Sequence, residues 1–463
     1  MHEAALEALR LAAGPPNVSV DVGRRLIFAA DATGRMQPPA AVVRALDAAQ
    51  IGRILAACTA FGLKITPRGA GSGLTGGATP LAGGVVLDLA GMDKIIRVDQ
   101  ADQLAVVQPG VVNADLQRAA RQQGLFYPPD PASADFCTIG GNVAENAGGL
   151  RAVKYGVTRD YVLALQAVLA DGRIMRVGSP TMKGVVGYDL TRLLVGSEGT
   201  LAVITEITLK LLPLPEATAT LCALYAQVEA AALAVRRILA GGARPVALEF
   251  MDAASLRAVE AHAGLGLDPT AAAMILVELD GPPEVLARQA QWIEATLTQS
   301  GGKDVRRASG GAEAEAIWAA RRAMSPALRK IAAGKLNEDI VVPLGSLATM
   351  IRRLEGVAAR RGVDIVSFGH AGDGNLHVNI MYDPADQAQT QAARQALTDV
   401  FAQTLALGGT VSGEHGVGTA KLAGAAVELD PTALELMRAV KKVFDPAGIL
   451  NPGKGLPPLE GQR

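Results

Sequence analysis

Three separate glycine-rich loops punctuate the first half of this chain, and its fold has to accommodate all of them. The first, Gly71-Ser72-Gly73-Leu74-Thr75-Gly76, is a literal G-x-G-x-x-G. A dinucleotide fingerprint follows a strand and opens a helix. Residues 63–67 suit the strand, but Gly77, Ala78, Thr79 and Pro80 continue a loop instead of starting a helix. The G-K-[ST] ending of a Walker loop is also missing. What remains is either an ordinary glycine-rich turn or a nest of backbone N–H groups suited to an anion such as a pyrophosphate. The second loop runs from Pro128-Pro129-Asp130-Pro131-Ala132-Ser133 into Cys137-Thr138-Ile139-Gly140-Gly141-Asn142-Val143-Ala144-Glu145-Asn146. The third is Gly196-Ser197-Glu198-Gly199-Thr200-Leu201. Three such loops in one domain point to an extended ligand carrying more than one phosphate.

At 463 residues the chain is too long for one simple core, so at least two domains are expected. Apolar spacing predicts an amphipathic helix over 38–61 and a helix over 113–123 with Asn113 as N-cap. Strands are expected near 63–67, 84–89, 104–107 and 201–212, with a hairpin over 161–177 turning at Asp171-Gly172. Residues 128–150 read as one long functional loop. After Pro215 the character changes. Strands near 217–225, 246–250, 274–279, 365–367 and 377–381 are accompanied by helices near 228–239, 284–299, 313–331, 387–407 and 431–444. The pattern is two interleaved α/β units joined near residue 215.

Composition excludes several functions. A net charge of −1 argues against a nucleic-acid partner, and 3% aromatic residues leave few stacking platforms for single strands. Cys58, Cys137 and Cys222 are odd in number and widely spaced, which suits a reducing compartment without disulfides. Residues 1–10 show no secretory signal pattern, and no apolar run is long enough for a transmembrane helix. The expected location is cytoplasmic, with peripheral contact at the inner membrane face left open.

A second cluster lies in the C-terminal half. Only five histidines occur, and three fall in Gly369-His370-Ala371-Gly372-Asp373-Gly374-Asn375-Leu376-His377-Val378-Asn379 and Gly413-Glu414-His415-Gly416. Metal-capable side chains concentrated beside glycine mark a site.

These motifs, together with Pro67-Arg68-Gly69-Ala70 before the first loop and the closing Asn451-Pro452-Gly453-Lys454, give the chain a strong resemblance to FAD-linked oxidases of the vanillyl-alcohol oxidase type. Within that group it resembles the metal-dependent D-2-hydroxyacid dehydrogenases, which include D-lactate dehydrogenases, glycolate oxidase FAD subunits and D-2-hydroxyglutarate dehydrogenases. The resemblance spans about residues 38–455. It implies an α+β fold: a two-part FAD-binding α/β domain over 38–215, preceded by a segment 1–37. A substrate and metal cap domain over 216–410 follows, and a C-terminal segment 411–463 returns to the flavin. It further implies that Arg68, Gly69, Ala70, Gly71, Ser72, Gly73 and Thr75 cradle the pyrophosphate. Pro129, Asp130, Ser133, Thr138, Gly141, Asn142 and Asn146 would line the rest of the FAD, with Glu198, Gly199, Ile204 and Asn451 completing the pocket. Members with covalent flavin carry a histidine in the first loop; residues 62–80 hold none, so the FAD is expected to be non-covalent.

His370, His377 and Glu414 form a three-ligand set with open positions, suited to a catalytic divalent metal. Zinc leads, and manganese, iron or cobalt would fit similar ligands. His415, expected to point away from Glu414 along an extended segment, suits a general base near neutral pH. It would take the hydroxyl proton of a 2-hydroxyacid while hydride passes to flavin N5 and a 2-oxoacid forms. By family position Arg321 grips the substrate carboxylate in bidentate fashion, with Ser325 supporting it from one helical turn on. Asn337 and Asn379 would also contact substrate. Lys335, two residues from Asn337, leaves D-2-hydroxyglutarate as an alternative to D-lactate or a similar short acid. Other readings are a metal-free flavin oxidase and a non-catalytic flavin-binding subunit of a larger complex. No haem or iron–sulfur motif exists, so electrons must leave to an external acceptor such as a quinone or an electron-transfer flavoprotein. Homodimers are common in such relatives.

Overall fold

Short β-branched runs at Ala41–Arg44, Val85–Asp88 and Ile65–Arg68 pair in parallel, the arrangement that requires a crossover between strands. The helix Ala48–Ala60 supplies one such crossover and buries Ile51, Ile54 and Leu55 against the sheet. The structure, a computed structural model, describes residues 1–308 and 310–458. Its contacts divide into two units, and the chain passes between them more than once.

The first unit comprises Met1–Gly149, Gly156–Leu214 and the chain from Glu414 onward. Val18–Ser19 completes a four-stranded sheet at its antiparallel edge. At the other edge the C-terminal return adds a parallel bridge between Ile65 and Leu450, with Ile449 and Leu450 fully buried in the same core. A second, antiparallel sheet of five strands runs in the order Ile95–Asp99, Leu104–Val107, Val203–Lys210, Val162–Val168, Ile174–Gly178. Its last two strands are the hairpin expected at Asp171-Gly172, where Gly172 takes φ +88°.

The second unit, Leu150–Tyr155 and Pro215–Gly413, is built on one seven-stranded antiparallel sheet. Its strand order is Lys303–Arg307, Ala217–Tyr225, Ala273–Gly281, Ala247–Asp252, Asp364–His370, Asn375–Tyr382, Gly334–Val341. Alternation along the strands separates two faces. Leu248, Phe250, Val378 and Ile380 pack under helices Val228–Ala240, Pro283–Gln299, Leu347–Arg361 and Gln387–Leu405. Met251, Phe368, Val366 and Met381 face helices Ala253–Ala263, Gly311–Arg322 and Met324–Ile331.

Several local expectations are corrected. The helix predicted over 38–61 is a strand followed by a shorter helix. Asp47 caps the helix by accepting from Gln50 N at 2.7 Å, and the β-branched Val42 and Val43 go to the sheet. Asn113 is the first residue of its helix, not the cap; Val112 holds the cap position while the Asn113 amide donates to Pro129 O at 3.2 Å. Residues 128–150 contain a helix, Ile139–Glu145. The single helix expected over 313–331 is broken at Ala323. Helices Ala253–Ala263 and Leu347–Arg361 add to those the sequence pattern predicts. The three cysteines are buried and free. Among the described residues no helix is long and apolar enough to cross a membrane.

Candidate active site

In the first unit the loop after Ile65–Arg68 owes its shape to the arginine beneath it. The Arg68 guanidinium is buried and donates to Ala30 O (2.7 Å) and Ala78 O (3.0 Å), so it staples the loop rather than facing outward. A side chain at Gly71, which sits at φ +70°, would run into that guanidinium. No helix follows the loop, as its sequence implied. Ala70 is exposed; Ser72 and Gly73 are half-buried.

The second loop meets the first. Thr138 occupies the N-cap position of Ile139–Glu145, and a Cβ at Gly69 would collide with its Oγ1. That hydroxyl is buried and lacks a hydrogen-bond partner among the described residues. Gly141 lies close to it, and Asn142 is buried one residue on. Asn146 ends the helix in the left-handed conformation, its Oδ1 accepting from Arg159 N at 2.8 Å. The Pro129 carbonyl is held by Asn113, Asp130 abuts Gly149, and the Ser133 carbonyl accepts from Phe136 N and Cys137 N. An orphaned buried hydroxyl at a helix start, facing glycines that keep the backbone bare, fits a polyphosphate-bearing cofactor.

The third loop locks onto the C-terminal return. Glu198 adopts φ +52°, and its buried carboxylate accepts from Val417 N (2.9 Å) and Gly418 N (2.7 Å). The Asn451 amide bridges Gly77 O (3.0 Å) and Glu198 O (2.8 Å). Thr75 donates to His415 O at 3.3 Å. Ile204 is buried in Val203–Lys210, and Gly199 sits at φ +65° beside Pro67. Two further residues belong to this nexus. Lys454 donates to Gly77 O (2.8 Å), Asn451 Oδ1 (2.7 Å) and Thr79 O; burial pulls its pKa down to about 8 against the pull of Asp31, Glu145 and Glu198. Glu145 is half-buried with its Oε2 shielded from solvent and unpartnered among the described residues, and desolvation followed by the neighbouring Glu198 raises its pKa well above the usual carboxylate range. Both residues lie inside motifs legible in the sequence, but only their burial distinguishes them.

The G-E-H-G segment is bent at 413–415, not extended. Consequently Glu414 and His415 do not point apart: Glu414 Oε1 lies 3.8 Å from His415 Nε2.

In the second unit one sheet face carries a polar row. Strand register pairs Asp339 with His377, His377 with Phe368, and His370 with Glu249. His370 Nε2 and His377 Nε2 approach to 3.4 Å, and both residues are buried. Two nitrogens each about 2.05 Å from a tetrahedral ion would stand about 3.3 Å apart, so the pair fits a divalent-metal donor set. Glu249 accepts from Arg321 Nε at 2.7 Å and contacts His370 Nδ1 at 2.6 Å. Its burial would raise the pKa, but His370 and Arg321 outweigh it and hold the carboxyl below its usual value. Arg321 also lies over the Phe368 ring at 4.7 Å, whereas Arg322 is exposed and paired with Glu315. Asn337 donates to Asn379 Oδ1 at 2.7 Å and keeps a buried Oδ1 of its own that has no partner among the described residues. Asn379 is fully buried, with its amide donating to Val366 O and His377 O, so it supports Asn337 from behind. The helix breaks at Ala323, between Arg321 and Ser325, and Ser325 is exposed. Asp339, also unforeseen, is fully buried and accepts from Gly413 N at 2.9 Å, immediately before Glu414. Neither Glu249 nor Asp339 belongs to a local motif; strand register alone reveals them.

Comparison with known proteins shows the family and the fold. Residues 39–178 match the model of an FAD binding domain, and residues 214–455 match that of the C-terminal domain of FAD linked oxidases. The chain is 43% identical over 449 residues to a glycolate oxidase subunit, GlcD, of Bacillus subtilis, covering 97% of this chain and 96% of that protein. It is 37% identical to a D-lactate dehydrogenase of Anaerostipes hadrus, covering 90% and 89%. The solved structure of p-cresol methylhydroxylase with substrate bound superposes with a TM-score of 0.81 at 18% identity, covering 100% of this chain and 98% of that one, which shows the shared fold.

Proposed function

Because the chain belongs to the FAD-linked oxidases, an FAD-dependent oxidoreductase family that includes glycolate oxidase and D-lactate dehydrogenase members, we propose that it oxidises a short D-2-hydroxyacid such as D-lactate to the 2-oxoacid with the aid of a divalent metal. The observation that carries this reading is the chain of contacts from the helix residue Arg321 through Glu249 and His370 to His377 on one sheet face, where a guanidinium adjoins an imidazole pair. A metal-free oxidase would not need that pair.

FAD, which the three glycine loops would hold non-covalently, would supply the hydride acceptor. A divalent ion on His370, His377 and Glu414, zinc first and manganese, iron or cobalt on similar ligands, would supply a Lewis acid. Covalent geometry supports the third ligand: Gly413 is anchored on Asp339, and Glu414 follows it by one peptide, about 3.8 Å between Cα atoms. Arg321, with Nε engaged by Glu249, keeps its terminal nitrogens for the substrate carboxylate. The Asn337 Oδ1 offers an acceptor. Oxidation removes a proton from the hydroxyl oxygen and a hydride from Cα, and His415 takes the proton. Electrons then leave to an external acceptor.

The likeness to a glycolate oxidase subunit favours a second reading within the same chemistry, with glycolate as substrate and further subunits alongside. One experiment separates the readings. The purified protein is mixed anaerobically with D-lactate, L-lactate, D-2-hydroxyglutarate and glycolate, and the visible flavin band is followed before and after chelation. Bleaching by D-lactate that chelation abolishes and zinc restores is the expected result. Bleaching by glycolate alone selects the second reading. Bleaching indifferent to chelation overturns the metal assignment, and no bleaching by any acid overturns both readings.

A further inference from the structure

We propose that Glu249 is a positioning residue that sets two groups at once: it holds His370 in its ligating tautomer and aims the free edge of Arg321. The proposal rests on the metal-dependent reading above.

Glu249 lies on Ala247–Asp252, 121 residues from His370 and 72 from Arg321, and its side chain is 1% exposed. Each oxygen has one job. Oε1 lies 2.6 Å from His370 Nδ1, and Oε2 accepts from Arg321 Nε at 2.7 Å. An ionised carboxylate only accepts, so His370 Nδ1 carries its proton and Nε2 keeps a lone pair. That Nε2 is the atom 3.4 Å from His377 Nε2. A carboxylate behind a ligating histidine fixes both its tautomer and its ring angle.

The same carboxylate acts on Arg321. A guanidinium offers two parallel-donor edges, one using Nε and one using both terminal nitrogens. With Nε spent on Glu249 and the plane stacked over Phe368 at 4.7 Å, only the terminal edge remains for a bidentate anion. One buried charge therefore ties carboxylate recognition to the histidine pair, and no apolar residue of equal volume could do so.

Glutamine at 249 keeps the shape but brings two donors. Its amide either repels Arg321 Nε–H or donates to His370 Nδ1, which moves the ring proton to Nε2 and blocks ligation. The test uses FAD-loaded protein stripped of metal, titrated with Zn²⁺ against a chromophoric chelator, with imidazole tautomers read by ¹⁵N-correlated NMR. Glu249→Gln is expected to weaken Zn²⁺ binding about 10–100-fold and shift His370 to the Nε2–H tautomer. Glu249→Asp, which retains the charge, should restore part of the affinity and serves if Glu249→Gln does not fold. Arg321→Met should leave Zn²⁺ affinity within about threefold while raising KM. If wild type binds zinc stoichiometrically and both Glu249 variants match it in affinity and tautomer, the positioning role is overturned. If wild type binds no zinc, the underlying metal reading falls, and this proposal with it.

Discussion

Asn451 donates its side-chain amide to the backbone carbonyl of Glu198 at 2.8 Å, across 253 residues of sequence. Both residues sit in the left-handed region, at φ 44° and φ 52°. Asparagine tolerates that conformation better than most residues. The C-terminal return is thereby fastened to the third glycine loop.

Asn451→Ala should therefore be costly. It removes the donor to two buried carbonyls, those of Gly77 and Glu198, and places alanine at positive φ. A loss of about 2–4 kcal/mol is expected from unsatisfied buried groups and backbone strain. Urea unfolding would measure it, and weaker FAD retention on gel filtration should accompany it.

Glu145 predicts a pH dependence with a definite sign. Its folded pKa is raised above the usual 4.5, by burial first and Glu198 second. Above pH 4.5 the folded protein thus holds a proton that the unfolded chain releases. The stabilisation is complete below that pH and is lost as pH rises through the raised value. Melting temperature should fall across that range in wild type and should fall less in Glu145→Gln, which stays neutral.

Lys454 gives the opposite trend at higher pH. Its pKa is lowered from 10.5 to about 8, so between these values the unfolded chain holds the extra proton and stability rises with pH. The span corresponds to about 3 kcal/mol. Lys454→Met should remove this rise, measured by unfolding of the FAD-free protein between pH 7.5 and 10.5.

Arg321→Lys tests carboxylate recognition. Lysine keeps the charge but cannot donate to Glu249 and to a bidentate anion in one plane. KM for the hydroxyacid should rise about 10- to 100-fold, equivalent to about 1.4–2.8 kcal/mol. An unchanged KM would show that the carboxylate is gripped elsewhere.

His415→Ala separates the base from the ligands. Flavin reduction should slow about 10²- to 10⁴-fold while bound FAD and metal content stay at wild-type levels. Stopped-flow absorbance and metal analysis decide it. Parallel loss of metal would make His415 a ligand rather than the base.

Much of the fold and the site could be read along the chain, where the signal is short-range. The glycine loops, the hairpin at Asp171-Gly172, the strand 217–225 and the helix 431–444 were legible because turn residues and apolar periods act over a few positions. The same local logic failed at 38–61. There the spacing of Val42 and Val43 suited a helix, but pairing with Val85–Asp88 placed them in a sheet. It failed again at Ala323, where one expected helix is two.

The sequence by itself determined the family, an FAD-linked oxidase marked by three glycine loops, and carries His370, His377, Glu414, His415 and Arg321 in recognisable motifs. Only the tertiary structure decided what stands behind them. Glu249 reaches His370 and Arg321, and Asp339 reaches Gly413, through strand register set by the whole seven-stranded sheet. Glu145 and Lys454 acquire perturbed pKa values only because distant segments remove water from them. Register and desolvation are collective properties of packed segments, so no short stretch of residues encodes them.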